Sequence, residues 1–389
     1  MRADWQIPFG EFHLALDPLS TAFLIPILLL SAAASVYAIG YLRGQPAAKV
    51  RLSIFMYLLL VVSMCVVGCA RDAVLFLVAW EIMALSSFFL VLYDSDRADV
   101  RQAGWMYLVA SHIGTAFIIA LFLLIGHTAG SFDFDRWTNL PSSGAAGLST
   151  CFILAVIGFG TKAGFWPLHV WLPEAHPAAP SHVSAVMSGV MIKTGIYGLM
   201  RMLTFLGPPP AWWGLTILGI GILSGILGVL FALAQHDLKR LLAYHSVENI
   251  GIIAIGMGAG MIGISFGLND VALLGFAGSI LHVTNHALFK GLLFLGAGSV
   301  AHATGTRNIE SLGGLMKKMP VTGATFMTGS AAISGLPPLN GFVSEFLIYA
   351  ACFKLALSGA WGGAIGGCAI AALALIGGLA AACFAKALA

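Results

Sequence analysis

Charge is the scarcest property of this sequence. Of 389 residues only 9% are Asp, Glu, Lys or Arg, and 59% are apolar. A soluble domain carries about 25% charged residues. With a mean hydropathy of +0.95, no soluble packing could hide this much apolar surface, so the solvent must be lipid. Cysteine is sparse too. The six (Cys65, Cys69, Cys151, Cys352, Cys368 and Cys383) all lie in apolar stretches, and none forms a CxxC pair. Cys65 and Cys69 share a helix face with no His or carboxylate beside them, so all six read as small buried hydrophobes. Metal-ligand spacing, a phosphate loop and a haem motif are lacking, and the chain is expected to hold no cofactor. His282 and His286 stand at i, i+4, but no third ligand converges on them. A secretory signal is not visible, because Asp4, Glu11 and Asp17 precede the first apolar run, the wrong flank for one. A formal net charge of +3 says little about partners, and a nucleic-acid partner is not expected.

What is present is a series of long apolar runs. They predict helices near 19–41, 51–70, 72–93, 104–126, 148–165, 182–205, 212–234, 240–263, 270–298, 320–350 and 361–386. At about 20 residues per span the chain has room for ten to twelve. The expected fold is therefore all-α, a polytopic transmembrane bundle of about 11 helices. The 47 glycines suit helices packed backbone to backbone. Two spans should break. Pro337 and Pro338, between Gly335 and Gly341, cannot continue a helix. The fifth run ends in Gly164-Phe165-Trp166-Pro167, and Leu168 to Pro180 reads as a half-helix or an interfacial segment. Irregular backbone at membrane depth is tolerated only where protein or a water cavity surrounds it, and paired broken elements point to a transport path.

The expected organisation is an N-terminal extramembrane segment, 1–18, and a transmembrane domain, 19–389. Within it, repeat one (about 51–205) and repeat two (about 212–386) would be inverted five-helix repeats. Each holds an acidic residue in its second helix (Glu81, Glu248) and an ionisable residue beside a break (Lys162, Glu345). Loops after the first, third, seventh and ninth runs hold ten basic residues: Arg43, Lys49, Arg51, Arg97, Arg101, Lys239, Arg240, Arg307, Lys317 and Lys318. The opposite side holds four: Arg2, Arg71, Arg136 and Arg201. This bias places the N-terminus outside the cytoplasm.

A charge at the bilayer centre costs about 3 kcal/mol on insertion scales. Glu81, Lys162, Lys193, His286, Lys290 and Glu345 nevertheless occupy five apolar stretches, with Lys354 and Lys386 inside or at the ends of apolar runs. His282, His286 and Lys290 share one helix face. A structural ion pair accounts for one buried Lys–Glu couple, but buried pairs rarely outperform well-packed hydrophobes. The number and types of these residues fit a relay: a desolvated lysine beside a carboxylate, and a histidine, can each bind and release a proton near neutrality. Glu345 would be its terminal station. His169, His176 and His182 read as hydrogen-bonding or wet surface groups, His112 as a satisfied core histidine, and Lys239 and Arg240 as orientation anchors.

Several motifs together resemble the antiporter-like membrane subunits. They are Trp80-Glu81, Gly160-Thr-Lys162 with Pro167-Leu-His-Val-Trp171-Leu-Pro-Glu-Ala-His176, Lys193-Thr-Gly-Ile-Tyr-Gly, Asp237-Leu-Lys-Arg-Leu-Leu-Ala-Tyr244-His-Ser, His282 to Phe294, and Ser334-Gly-Leu-Pro-Pro-Leu-Asn-Gly-Phe. That family includes proton-pumping subunits of respiratory complex I, large subunits of cation/proton antiporters, and subunits of membrane-bound nickel–iron hydrogenases. The resemblance covers nearly the whole chain. Stretches 80–87 and 244–251 look most like hydrogenase-4 and formate hydrogenlyase subunits.

The resemblance implies that Glu81 is the family's fifth-helix glutamate and Lys162 its partner on a discontinuous seventh helix. Lys193 would be the central eighth-helix lysine, and His282, His286 and Lys290 the eleventh-helix relay. Glu345 would lie on the broken twelfth helix. Glu248 and Lys239 are secondary candidates. The family's first two helices and last helix are expected to be absent from this chain. The implied function is a proton-translocating subunit of a redox complex in the inner membrane. Its partners would be other membrane subunits and a hydrophilic arm carrying the nickel–iron and iron–sulfur chemistry. A Na⁺/H⁺ antiporter subunit and a structural anchor are the competing readings.

Overall fold

A computed structural model describes residues 1–3, 5, 10–139 and 145–388. Asp4, one of the acidic residues expected before the first helix, lies outside the described residues. Among the described residues of that segment, β1 (Arg2–Ala3) pairs antiparallel with β2 (Phe12–His13) over two residues. Asp17 then caps α1 (Pro18–Tyr41) by accepting from the Ser20 N–H at 2.7 Å. A carboxylate there satisfies a donor that the helix itself cannot.

The helices follow in the expected order. They are α2 (Ala47–Cys69), α3 (Ala73–Val91), α4 (Ala98–Ala129), α5 (Ala145–Ala163), the short α6 (Leu172–Ala178) and α7 (Ser181–Val186), and then α8 (Lys193–Leu206). The second half comprises α9 (Ala211–Leu233), α10 (Leu238–Ser265), α11 (Asn269–Thr304), the short α12 (Leu315–Lys318), α13 (Pro320–Ile333), α14 (Asn340–Ala356) and α15 (Ala360–Leu388). Among the described residues, nine helical segments are long and apolar enough to cross a membrane. The other two expected runs are the shorter apolar helix Gly147–Ala163 and the broken pair α13 and α14.

Both breaks use the same backbone device. At the first, Gly164 has φ +85° and the Phe165 N–H donates back to Gly160 O at 3.0 Å. At the second, Gly335 has φ +65° and the Leu336 N–H donates to Ala331 O at 3.1 Å. A left-handed glycine with a six-to-one hydrogen bond ends a helix while satisfying its last carbonyls. A cis X–Pro bond follows each glycine at the same offset: Trp166–Pro167 and Pro337–Pro338. The stretch after the first break is a half-helix, α6, packed between α4 and α10.

The outer surface is apolar, as lipid demands. Val36, Ile39, Leu58 and Leu273 are all exposed. The interior holds the polar groups instead. Small residues bring the helices close: a Cβ on Gly221 of α9 would fall 2.7 Å from the Ile255 nitrogen of α10. Such close approach is how membrane helices associate without a hydrophobic driving force between them. Of the six cysteines, Cys151, Cys352 and Cys383 are buried as expected, but Cys65 and Cys69 are only partly buried and Cys368 is exposed. In lipid a thiol needs no burial to avoid water.

Candidate functional site

Lys193 sits at the start of α8, directly after a π-helical turn over Met187–Met191. That turn is unmarked by proline and was not foreseen from sequence. The Lys193 Nζ donates to Ser188 O at 2.5 Å, within the turn, and lies 2.5 Å from Nδ1 of His286 on α11. All three groups are buried. An ammonium has no lone pair, so His286 Nδ1 is the acceptor when Lys193 is charged. Moving one proton across this hydrogen bond gives a neutral amine and an imidazolium without displacing a heavy atom.

One turn along α11, the Lys290 Nζ is buried with no hydrogen-bond partner among the described residues, 5.8 Å from the Phe294 ring centroid. One turn the other way, His282 is fully satisfied. Its Nε2 is 3.0 Å from Asn249 Oδ1 on α10, and its Nδ1 is 2.9 Å from Ser344 Oγ on α14. The Asn285 amide also donates to Ser344 Oγ, at 3.0 Å. Ser344 immediately precedes Glu345, which is buried. The Glu345 carboxylate rests against the second break, and a Cβ on Gly335 would fall 2.6 Å from its Oε2. Glu248 is buried on α10 and hydrogen-bonded to His245, three residues before it. It lies in electrostatic range of both Lys290 and Glu345.

The Glu81–Lys162 pair is not closed in this structure. Lys162 is buried at the end of α5, and its Nζ donates to Tyr107 OH of α4 at 2.9 Å. Tyr107 in turn is hydrogen-bonded to Ser87 of α3. On α3 it is Trp80 that faces Lys162, with the Nζ 5.7 Å from its ring centroid. Successive helical residues point about 100° apart, so Glu81 is turned away from Lys162 and lies half-buried, its Oε1 covered and without a hydrogen-bond partner among the described residues. Its side chain is 31% exposed, and its Oε2 lies 3.5 Å from Nε2 of His112. His112 is therefore not a core histidine but an exposed neighbour of the half-buried Glu81.

Other placements also differ from the sequence reading. His169, His176 and His182 are buried, not wet. Among the described residues, His176 has no partner on either ring nitrogen, and each of the other two has an unpartnered Nδ1. The proline-rich stretch around them had suggested an interface, but the half-helix α6 carries His176 inward, as the turn before it does His169 and α7 does His182. Lys239 is also buried, donating to Ala179 O at 2.5 Å. Lys354 bonds Asp270 at 2.5 Å on the outside, and Lys386 caps the α9 end through Leu233 O and Gln235 O. Neither joins the buried row. Tyr107, Asn249, Ser344 and His245 are site residues that sequence reasoning missed. Each is a polar residue without a fixed charge, a weak signal beside a lysine or a carboxylate.

The N-terminal face carries a second polar cluster. Arg201 of α8, counted from sequence among the basic residues of the N-terminal side, is buried within the helix and holds Asp17 in a fork of 2.6 and 2.9 Å. Arg71 joins the same carboxylate at 2.7 Å. Burial by itself would raise the Asp17 pKa; hydrogen bonds from Arg201, the Ser20 N–H and Arg71 outweigh it and hold this carboxyl well below the usual range.

A lipid-exposed bundle with two broken helices and a buried row of Lys, His and Glu defines a polytopic membrane protein with a charged internal axis. Residues 70–370 match the family described as NADH:quinone oxidoreductase/Mrp antiporter, transmembrane region, and the chain belongs to that family. It is 43% identical over 97% of its length to hydrogenase-4 component B of Escherichia coli (strain K12), and 38% identical over 97% to formate hydrogenlyase subunit 3 of the same organism. It spans 56% and 60% of those relatives. Its fold matches a chain in the structure of the Mrp complex from Dietzia sp. DQ12-45-1b with TM-score 0.86 and 30% identity, covering 98% of this chain and 41% of that one.

Proposed function

We propose that this chain is a proton-translocating membrane subunit of a redox-driven complex. The single observation that carries the reading is the Lys193–His286 contact, two buried titratable groups at hydrogen-bond distance on different helices. Lys162 would deliver or withdraw charge on one side of it. Lys290, His282 and Glu345 would pass the proton towards the second break, with Glu248 as an intermediate acid. Glu81 would gate the first step by swinging between His112 and Lys162. Likeness to hydrogenase-4 component B and formate hydrogenlyase subunit 3 supports a hydrogenase-type complex, with other membrane subunits and an iron–sulfur arm as partners.

The N-terminus would lie outside the cytoplasm of the inner membrane, because the basic loops gather at the opposite end. At that basic end a cavity of about 720 Å³ is lined by Tyr41, Asp94, Lys239 and Arg307. Protons would be taken up there, and buried Lys239 would sit beside their path.

The test is proton uptake into inverted vesicles carrying the complex. Lys193→Arg keeps the charge but cannot release a proton at physiological pH. Lys193→Ala removes the station and relieves its desolvation cost. Both should lose pumping while the Ala variant still assembles. A fully active Arg variant would sink the relay role. Na⁺-dependent transport without electron flow would favour an antiporter subunit instead, and relay variants with full coupling would favour an anchor.

A further inference from the structure

The proposed relay needs Lys193 to reach one side of the membrane and not the other. Along α8, Lys193, Tyr197 and Arg201 are spaced by four residues, so they form one column on one helix face, and all three are buried. The column runs from the membrane interior to the N-terminal face. It is polar in a helix whose other buried positions are mostly apolar or small. A hydrated path along it would short-circuit the pump.

The far end of the column is occupied by a fixed charge. The Arg201 guanidinium is gripped by Asp17, lies 3.2 Å from Ser20 Oγ, and donates to Tyr197 OH at 3.2 Å. Tyr197 OH then donates to Gly68 O at the end of α2 at 2.8 Å. These bonds tie α1, α2 and α8 together at one point. Arg71 adds a second guanidinium on Asp17. Two guanidiniums share one carboxylate, so the cluster keeps an excess positive charge. An arginine does not give up its proton at any pH of interest, and a fixed positive charge in a narrow polar path repels protons and cations.

We infer that Arg201, held by Asp17, is an electrostatic seal that closes the Lys193 column at the N-terminal face. The inference rests on the relay reading of Lys193. A merely structural tether would be served as well by packed hydrophobes. Arg201 is a positioning and selectivity residue and carries no proton itself.

Eight helical residues place its charge about 12 Å from Lys193 along the axis. At an effective dielectric of about 20, loss of a unit charge at that distance corresponds to about tenfold in proton occupancy. Passive proton uptake is read with a pH-sensitive dye inside vesicles carrying the whole complex. A potassium diffusion potential drives it, with no electron donor present. Arg201→Gln should raise passive uptake about tenfold, and Arg201→Lys should stay at the wild-type level. The double variant Lys193→Ala, Arg201→Gln should return to that level, because the leak runs through Lys193. If Arg201→Gln does not assemble, Arg201→Met, which removes the charge while filling a similar volume, decides in its place and should leak. Unchanged permeability in an assembled Arg201→Gln or Arg201→Met complex overturns the seal, and so does a leak that persists without Lys193. Either result leaves the relay itself to be judged by pumping in Lys193→Ala alone.

Discussion

The Lys193 Nζ and His286 Nδ1 lie 2.5 Å apart, although 93 positions separate them in the chain. The contact joins α8 to α11, and a π turn places the lysine for it by presenting Ser188 O to the same ammonium. His286 should therefore matter more than its neighbour His282, which is held by two fixed partners. His286→Ala takes one of two acceptors from the buried Lys193 ammonium, a loss of about 1–3 kcal/mol. Pumping should fall to background while co-purification of the complex persists. His282→Gln keeps hydrogen-bonding capacity and should retain more of the pumping rate. Equal losses in the two variants would count against a direct Lys193–His286 transfer.

Tyr107 is the partner that Lys162 has in this structure. Tyr107→Phe removes one hydrogen bond to a charged group, worth about 1.5–3 kcal/mol. With that hold gone, Lys162 should turn to Glu81 more of the time. The expected outcome is a changed pumping rate that depends on Glu81. Glu81→Gln alone should abolish pumping in an assembled complex, and adding Tyr107→Phe should then change nothing further. A separate effect of Tyr107→Phe in the Glu81→Gln background would show that the tyrosine acts elsewhere.

Gly335 combines positive φ with contact to the Glu345 carboxylate. Gly335→Ala brings a left-handed backbone penalty of about 1–2 kcal/mol and pushes the carboxylate aside. The complex should lose a few degrees of thermal stability and most of its pumping. The same substitution at Gly367, whose Cβ would meet nothing within 4 Å, should do neither.

Asp17 predicts a pH signature outside the membrane. Its carboxyl is held below the ordinary range in the folded protein, so it contributes stability that is complete above the unfolded pKa of about 3.9 and fades as pH falls below it. Thermal melts of wild type and Asp17→Asn should differ by a constant amount from about pH 6 to 8 and converge below about pH 4. A gap that widens on acidification would contradict the Arg201–Asp17–Arg71 arrangement.

The sequence by itself determined the class of solvent, the run of spans, both helix breaks and much of the buried row, namely Lys162, Lys193, His282, His286, Lys290 and Glu345. Those are local matters. A charge in an apolar stretch carries its desolvation cost whatever packs beside it, and Gly-x-x-Pro ends a helix in any context. Only the tertiary structure decided which of these groups meet. Helix rotation turned Trp80, not Glu81, towards Lys162. Helix α6 buried His176, which its proline-rich surroundings had suggested was wet. The Asp17–Arg201 fork joins residues 184 positions apart, and no spacing rule connects them. Pairing depends on how helices rotate and approach one another, a sum over many small glycine and alanine contacts that a single chain does not display one residue at a time.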